Sequence, residues 1–209
     1  YVLEREKHPK HQSVRLAKKI SMLHEEVLML LRLFVVASRG VVLEIGAYIG
    51  GATVVLGATA KEFKKGPVIS IESGGAQYHT HIPSADKFSD LVRNVEDAGI
   101  SEYVTLLNGF SNDPKVVESV KCAANGKKID LLIIDADGNV GRDFAIYGDL
   151  LKIGAIVVLD DYVSSQPEKE QPVKEWVDRA VSEGSLCRIG GVWGWGTWIG
   201  IYTGDSSKP

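Results

Sequence analysis

The stretch VVLEIGAYIGG at residues 41–51 decides the fold class of this chain. Its first half, residues 41–45, is a short and almost continuously apolar run, typical of a strand that is buried on both faces. Gly46 and Gly50 then allow the backbone to turn tightly and to approach a ligand closely. We therefore predict a buried strand, a glycine-rich turn and a helix that runs to about Lys64.

The same alternation of strand and helix repeats along the chain. Apolar runs predict further strands at 68–71, 103–107, 130–134 and 155–159, with a closing pair at 185–190 and 197–203. Amphipathic segments predict helices at 13–38, 84–98, 114–126 and 142–152, and a last helix that Pro172 opens. This order predicts an α/β fold: a seven-stranded, mostly parallel sheet with helices on both faces and a C-terminal antiparallel hairpin. We expect one domain over residues 13–209 after a polar tail at 1–12.

Composition and charge exclude several classes of protein. Of the 209 residues, 44% are hydrophobic and 24% charged, which is typical of a globular domain. The net charge of −3 provides no positive field for nucleic acid or an anionic membrane. The longest apolar stretch, 27–37, is too short to span a bilayer. Cys122 and Cys187 match no metal-binding spacing. We expect a cytoplasmic protein with neither nucleic-acid nor membrane partners.

Ligands of parallel α/β sheets bind at the carboxyl ends of the strands, so the residues there are candidate site residues. Glu72 ends the second strand, where an acidic side chain can accept hydrogen bonds from ribose hydroxyls. The preceding glycine-rich turn lacks the GxGxxG pattern of dinucleotide-binding proteins. Together the turn and Glu72 predict a nucleoside-binding site.

Carboxylates also follow the fourth and fifth strands, as Asp135, Asp137, Asp160 and Asp161. Because neighbouring parallel strands end at one edge, these acids converge and repel one another unless something offsets their charge. Carboxylate oxygens suit Mg²⁺, which would do so. The alternatives are that the acids are solvated, or that one of them orients a substrate without a metal.

Segments 42–50 and 69–72 together resemble the cofactor-binding signature of class I S-adenosylmethionine (SAM)-dependent methyltransferases. The strand order resembles that family over nearly the whole chain, which implies a Rossmann-like fold and SAM as cofactor. The resemblance implies that Glu44 and Gly46 lie near the methionine end of the cofactor and that Gly50 lies in the turn. It also implies that Glu72 binds the ribose and that Gly109, Phe110 and Ser111 surround the adenine. Further residues implied in the cofactor site are Ala47, Tyr48, Ser73 and Asp135.

The acids resemble those of the metal-dependent O-methyltransferases of the catechol, caffeoyl-coenzyme A and macrocin types. The run at 156–162 is most similar to the macrocin type. This resemblance implies that Asp135, Asp160 and Asp161 hold Mg²⁺. The expected reaction is transfer of a methyl group from SAM to a hydroxyl of a small-molecule acceptor, and a homodimer is a further expectation.

One residue departs from that pattern. In the catechol and caffeoyl types a lysine three residues after the first metal-binding aspartate acts as base, and here that place is Gly138. Substitute candidates are His79 and His81, because histidine changes protonation near neutral pH, and Asp137. Asp135 is a fourth candidate catalytic residue. If none is a base, the metal alone must acidify the hydroxyl.

Other features leave alternatives open. Trp193, Trp195 and Trp198 either pack the last hairpin or form an aromatic wall of the acceptor site. Met22 and His24 either pack or cover the substrate. The missing lysine keeps open a catalytically silent SAM-binding or dimerisation module. A nicotinamide-dependent oxidoreductase is disfavoured by the absent GxGxxG pattern, and acceptors methylated on nitrogen or carbon are disfavoured by the acids.

Overall fold

The computed structural model describes residues 12–204, so the predicted tail lies outside the described residues apart from Gln12. The helices of this part are α1 (Gln12–Ala17), α2 (Glu25–Ala37), α3 (Gly51–Phe63), α4 (Lys87–Asp97), α5 (Pro114–Ala124), α6 (Val140–Tyr147) and α7 (Pro167–Ser182). The strands are β1 (Val41–Ile45), β2 (Val68–Glu72), β3 (Val104–Asn108), β4 (Ile129–Ile134), β5 (Leu151–Leu159), β6 (Leu186–Val192) and β7 (Thr197–Tyr202). Short 3₁₀ turns lie at Ser101–Tyr103, Gly148–Leu150 and Trp193–Trp195.

The strands form one seven-stranded sheet in the order β3-β2-β1-β4-β5-β7-β6. The first five strands are parallel, whereas β7 pairs antiparallel with both β5 and β6. This confirms the predicted α/β sheet and its closing hairpin. The chain order reverses between the neighbours β1 and β4, and at such a reversal helices on opposite faces leave a crevice at the carboxyl edge.

The core lies on both faces of this sheet, because successive strand residues point to opposite sides. Leu43 packs with apolar residues of α5, α6 and α7, whereas its neighbour Val42 packs with those of α2, α3 and α4. Both side chains are fully buried. The near-continuous apolar runs of the strands therefore reflect a three-layer fold. Within residues 12–204, no helix is long and apolar enough to cross a membrane.

The single helix predicted over residues 13–38 is wrong, because the structure breaks it into α1 and α2. The Ser21 hydroxyl accepts a hydrogen bond from the Leu23 amide, and Nδ1 of His24 accepts one from the Glu26 amide. Ser21 thus satisfies an amide that precedes α2, and His24 caps α2 by satisfying an amide of its first turn. Ser21 packs on Gly51, and a Cβ added at Gly51 would lie only 2.4 Å from the Cβ of Ser21. The break therefore seats the connecting segment against the start of α3.

Two predicted element boundaries in the C-terminal half of the chain also differ from those of the structure. The last helix begins at Pro167, and Pro172 lies inside it instead of opening it. The helix predicted to run to Lys152 ends at Tyr147, and β5 already begins at Leu151. Residues 152–154 of this strand are exposed, and Lys152 and Gly154 interrupt the continuous apolar run by which the other strands were predicted.

Candidate active site

The glycine-rich turn brings the end of β1 against the end of β4. Gly46 has φ +88°, and a Cβ there would lie 1.8 Å from the backbone oxygen of Asp135. The Asp135 amide in turn donates a hydrogen bond of 2.9 Å to the carbonyl of Ile45. Only glycine permits this approach without displacing the backbone. The turn therefore fixes the position of Asp135 relative to β1.

Glu72 at the end of β2 is held by groups on three sides. Its carboxylate accepts hydrogen bonds from the amides of Tyr48, at 2.8 Å, and Gly74, at 3.0 Å. The ammonium of Lys87 lies 2.8 Å away, although Glu72 is only 4% exposed. A buried carboxylate is stable in such a place because it is paired and hydrogen-bonded. These contacts fix the carboxylate on the wall of an open cleft.

That cleft lies along the carboxyl edge of the sheet and has a volume of about 280 Å³. Most of the residues predicted to bind the cofactor line it: Gly46, Tyr48, Glu72, Ser73, Gly109, Phe110, Ser111 and Asp135. Glu44 and Ala47 line a smaller cavity beside it, of about 20 Å³, and Gly50 lines neither. The structure thus brings residues from four strand ends together around one space.

Glu44 is a buried acid beneath the glycine-rich turn. Its Oε2 accepts hydrogen bonds of 2.6 Å from the hydroxyls of Thr53 and Ser70. Burial raises the pKa of Glu44 from its ordinary value of 4.5 to about 7, against the lowering effect of these two hydrogen bonds and with a further rise from the charge of Glu72. Glu44 is therefore partly protonated at neutral pH.

Asp135, Asp160 and Asp161 form a cluster that we call the acid triad. One carboxylate oxygen from each lies within 4.8 Å of the other two. Burial, and then the charges of the other two, raise the pKa of Asp135 well above its usual value. Burial also raises the pKa of Asp160 to about 6, against a hydrogen bond of 2.8 Å from the Thr197 hydroxyl.

The donor set of the acid triad fits a hard divalent cation. All three ligands are carboxylate oxygens, which Mg²⁺ and Mn²⁺ prefer. Burial, and then the charges of neighbouring aspartates, raise the pKa values of Asp135 and Asp160, and a bound cation would offset both effects. Asp161 adopts φ +60°, an uncommon backbone conformation that aspartate tolerates better than most residues. This backbone turn follows directly after β5.

Besides Lys87, two further cations that line the cleft were not predicted from the sequence. Nζ of Lys169, in the first turn of α7, lies 3.3 Å from Oδ2 of Asp161 and lines the cleft. The guanidinium of Arg142 lines the cleft from α6 and binds Asp137 and the buried Asp143. Neither residue follows a strand end, so the rule that identified the acids gives no signal for them.

The structure places the three candidate bases differently. His79 and His81 contact each other in the loop after β2, with ring centroids 5.9 Å apart, and they are not among the residues that line the cleft. Asp137 lines the cleft but binds Arg142 through both oxygens, at 2.7 and 3.1 Å. Burial raises the pKa of Asp137, but the hydrogen bonds from Arg142 and the Asn139 amide lower it by more, so that it lies below its usual value.

The aromatic residues of the last hairpin divide between packing and the surface. Trp198 is only 1% exposed and belongs to the core. The ring of Trp195 is stacked on that of His24, with centroids 4.1 Å apart. Met22, two residues before His24, lines the cleft. The hairpin therefore contacts the segment between α1 and α2 that borders the cleft.

Solved structures share this fold at low sequence identity. The O-methyltransferase from Bacillus cereus in complex with S-adenosylhomocysteine (SAH) aligns at a TM-score of 0.64 with 18% identity, covering 97% of this chain and 95% of that one. TomG from Streptomyces achromogenes, an O-methyltransferase involved in tomaymycin synthesis and solved with SAM, gives 0.65 and 16%, covering 92% and 90%. The SAH-bound methyltransferase from Podospora anserina gives 0.62 and 13%, covering 95% and 83%. The fold is that of class I methyltransferases.

Residues 43–162, more than half of the chain, match the model of a family described as a methyltransferase domain. The chain belongs to this family. The match contains the glycine-rich turn, Glu72 and the acid triad. No curated protein matches the sequence significantly.

Proposed function

We propose that this methyltransferase transfers a methyl group from SAM to a hydroxyl of a small-molecule acceptor, assisted by Mg²⁺. One observation carries the proposal: Asp135 both lines the cleft beside the glycine-rich turn and belongs to the acid triad. The space for a nucleoside cofactor and the carboxylates that would hold a cation therefore adjoin at one residue. Family membership and the SAM- and SAH-bound structures of the same fold support it.

Each part of the cleft would hold a different part of the cofactor. Glu72 is fixed where its carboxylate can accept hydrogen bonds from the ribose hydroxyls, although Lys87 shares it. Gly109, Phe110 and Ser111 follow β3 on the adenine side. Glu44 and the turn lie towards the methionine end, where the positive charge of SAM would favour the ionised form of the Glu44 carboxyl.

Methyl transfer from a sulfonium requires the acceptor oxygen in line with the methyl carbon, at about 3–3.5 Å in a near-attack geometry. Asp135, Asp160 and Asp161 would hold the cation, which when bound supplies a Lewis acid that orients the hydroxyl and stabilises its anion. Thr197 fixes the Asp160 carboxylate for this purpose by its hydrogen bond. The walls of the cleft hold cofactor and acceptor together.

The residue that removes the hydroxyl proton stays a prediction. His79 and His81 lie outside the wall of the cleft, so they need a movement of their loop to reach an acceptor. Asp137 is in the wall, but its ion pair with Arg142 weakens it as a base. We therefore assign the main acidifying effect to the cation that the acid triad would hold, with an acceptor hydroxyl that is itself acidic and loses its proton to solvent.

The test uses Asp160→Asn, which keeps the shape of the side chain and the acceptor oxygen for Thr197. With a panel of catechol, sugar and polyketide hydroxyls and labelled SAM, we expect turnover to fall about 100-fold or more, because metal assistance contributes several kcal/mol. SAH affinity should stay within about twofold, since cofactor contacts remain. Asp97→Asn, at an exposed position at the end of α4, is the matched control.

Unchanged turnover in Asp160→Asn would refute the role of the triad. SAH binding without methylation of any acceptor, in the wild type as well, would favour the catalytically silent module instead. Full activity in the presence of a chelator would contradict the assistance by Mg²⁺.

A further inference from the structure

Lys169 is a cation that lies beside the acid triad, although it does not follow the end of a strand. It lies in the first turn of α7, and its Nζ is 3.3 Å from Oδ2 of Asp161. The side chains are partly buried, at 30% and 15% exposure. The positive charge of Lys169 also acts on Asp135 and Asp160, whose pKa values it lowers against the raising effects of burial and of the neighbouring aspartates.

Gly138 leaves the room that this lysine occupies. A Cβ at Gly138 would lie 3.1 Å from Cα of Lys169 and 3.2 Å from its carbonyl oxygen. Gly138 also has φ +79°, a conformation that favours glycine. A larger residue there would displace the first turn of α7 and with it the lysine. The glycine after β4 and the lysine of α7 therefore form one arrangement.

The ammonium of Lys169 and a divalent cation have the same requirement. Each needs a lone pair of the Asp161 carboxylate, and the two positive charges repel each other at short range. A cation that enters the acid triad must therefore displace Lys169 from Asp161 or share the carboxylate with it at a loss of affinity.

We propose that Lys169 is a tethered competitor of the divalent cation, so that this one side chain sets the ion concentration at which the acid triad fills. The inference rests on the metal site of the proposed function. It concerns ion binding alone, and so it is testable without knowledge of the acceptor.

The experiment is calorimetric titration of the full chain with Mn²⁺ alone, checked by the electron paramagnetic resonance signal of free Mn²⁺. Lys169→Met removes the charge and keeps the length of the side chain. We expect it to bind Mn²⁺ at least about tenfold more tightly, because a positive charge a few ångströms from the ion is removed. Lys169→Arg retains the charge and should stay close to the wild type.

Lys174→Met is the matched control, since it removes the same charge from the same helix. Lys174 is exposed and lies over the ring of Tyr162, and it is not among the residues that line the cleft. Its Mn²⁺ affinity should equal that of the wild type within about twofold, because an exposed charge outside the cleft is screened. Far-UV circular dichroism and thermal unfolding confirm that each variant is folded.

Three outcomes would overturn the inference: equal affinity in Lys169→Met and the wild type, an equal gain in Lys169→Arg, or no Mn²⁺ binding in any variant. A separate titration with SAH distinguishes this failure from failure of the proposed function. SAH binding together with Mn²⁺ binding that Lys169→Met leaves unchanged rejects only the role of Lys169, whereas SAH binding without any Mn²⁺ binding also rejects the metal site. Loss of SAH binding in the wild type rejects the methyltransferase site itself.

Discussion

The buried carboxyl of Glu44 makes the stability of this protein depend on pH in a direction that the structure fixes. Burial raises its pKa from 4.5 to about 7, so the folded protein binds this proton more tightly than the unfolded chain does. A group with a raised pKa in the folded state stabilises that state at low pH and loses this contribution as pH rises. For Glu44 the window runs from about pH 4.5 to about pH 7.

The perturbation is Glu44→Gln, which removes the titration and keeps an oxygen to accept from Thr53 and Ser70. Each unit of pKa difference corresponds to about 1.4 kcal/mol, so the wild type should lose about 3 kcal/mol relative to this variant between pH 4.5 and pH 8. Comparing the wild type with Glu44→Gln at the same pH cancels the contribution of other titrating groups to the free energy of unfolding. The relative stability should therefore change by this amount and then level off.

Urea unfolding at pH 4.5, 5.5, 6.5, 7.5 and 8.0, followed by tryptophan fluorescence, gives the free energy of unfolding of both proteins. Glu118→Gln, whose side chain is 70% exposed, controls for the loss of a carboxylate at the surface. A difference between wild type and Glu44→Gln that stays constant across this range would refute the reasoning. So would a difference of the opposite sign, in which the wild type gains stability as pH rises.

Two further variants test the cleft. Glu72→Gln should weaken SAH binding about 50-fold, measured by calorimetry, because neutral hydrogen bonds to the ribose replace charge-assisted ones. Undiminished affinity would show that the ribose assignment is wrong. Gly46→Ala should lower the free energy of unfolding by about 3 kcal/mol or more, since its Cβ would lie 1.8 Å from the Asp135 oxygen. Gly126→Ala shares a positive φ of +75° but has no atom within 4 Å of the added Cβ, so a loss as large there would contradict the explanation by close approach.

The parts of the molecule that follow a local rule were predicted from the sequence. Apolar runs gave the strands, and the rule that parallel strands end at one edge placed Glu72 and Asp135 beside one cleft, as the structure has them. Asp113 and Pro114 are residues typical of the start of a helix, and the Asp113 side chain accepts a hydrogen bond from the Lys115 amide at the start of α5. These features depend on residues adjacent in sequence or on topology alone.

The parts that depend on packing between distant segments were not predicted. The helical periodicity of residues 13–38 continues through a break that Ser21 and His24 create by capping amides and by packing on Gly51. Lys169 lies close to both Asp161 and Gly138 because of the way the first turn of α7 packs, and no spacing in the sequence reveals this packing. His79 and His81 are candidate bases because of their chemistry alone. The sequence does not reveal that their loop lies outside the wall of the cleft.

The central claim is that the cleft at the carboxyl edge binds SAM and not a nicotinamide dinucleotide. The most direct measurement is calorimetric titration of the full chain with SAH and, separately, with NAD⁺. We expect saturable one-to-one binding of SAH and no binding of NAD⁺, and we expect Glu72→Gln to weaken the binding of SAH. Binding of NAD⁺ alone, or of neither compound, would contradict it.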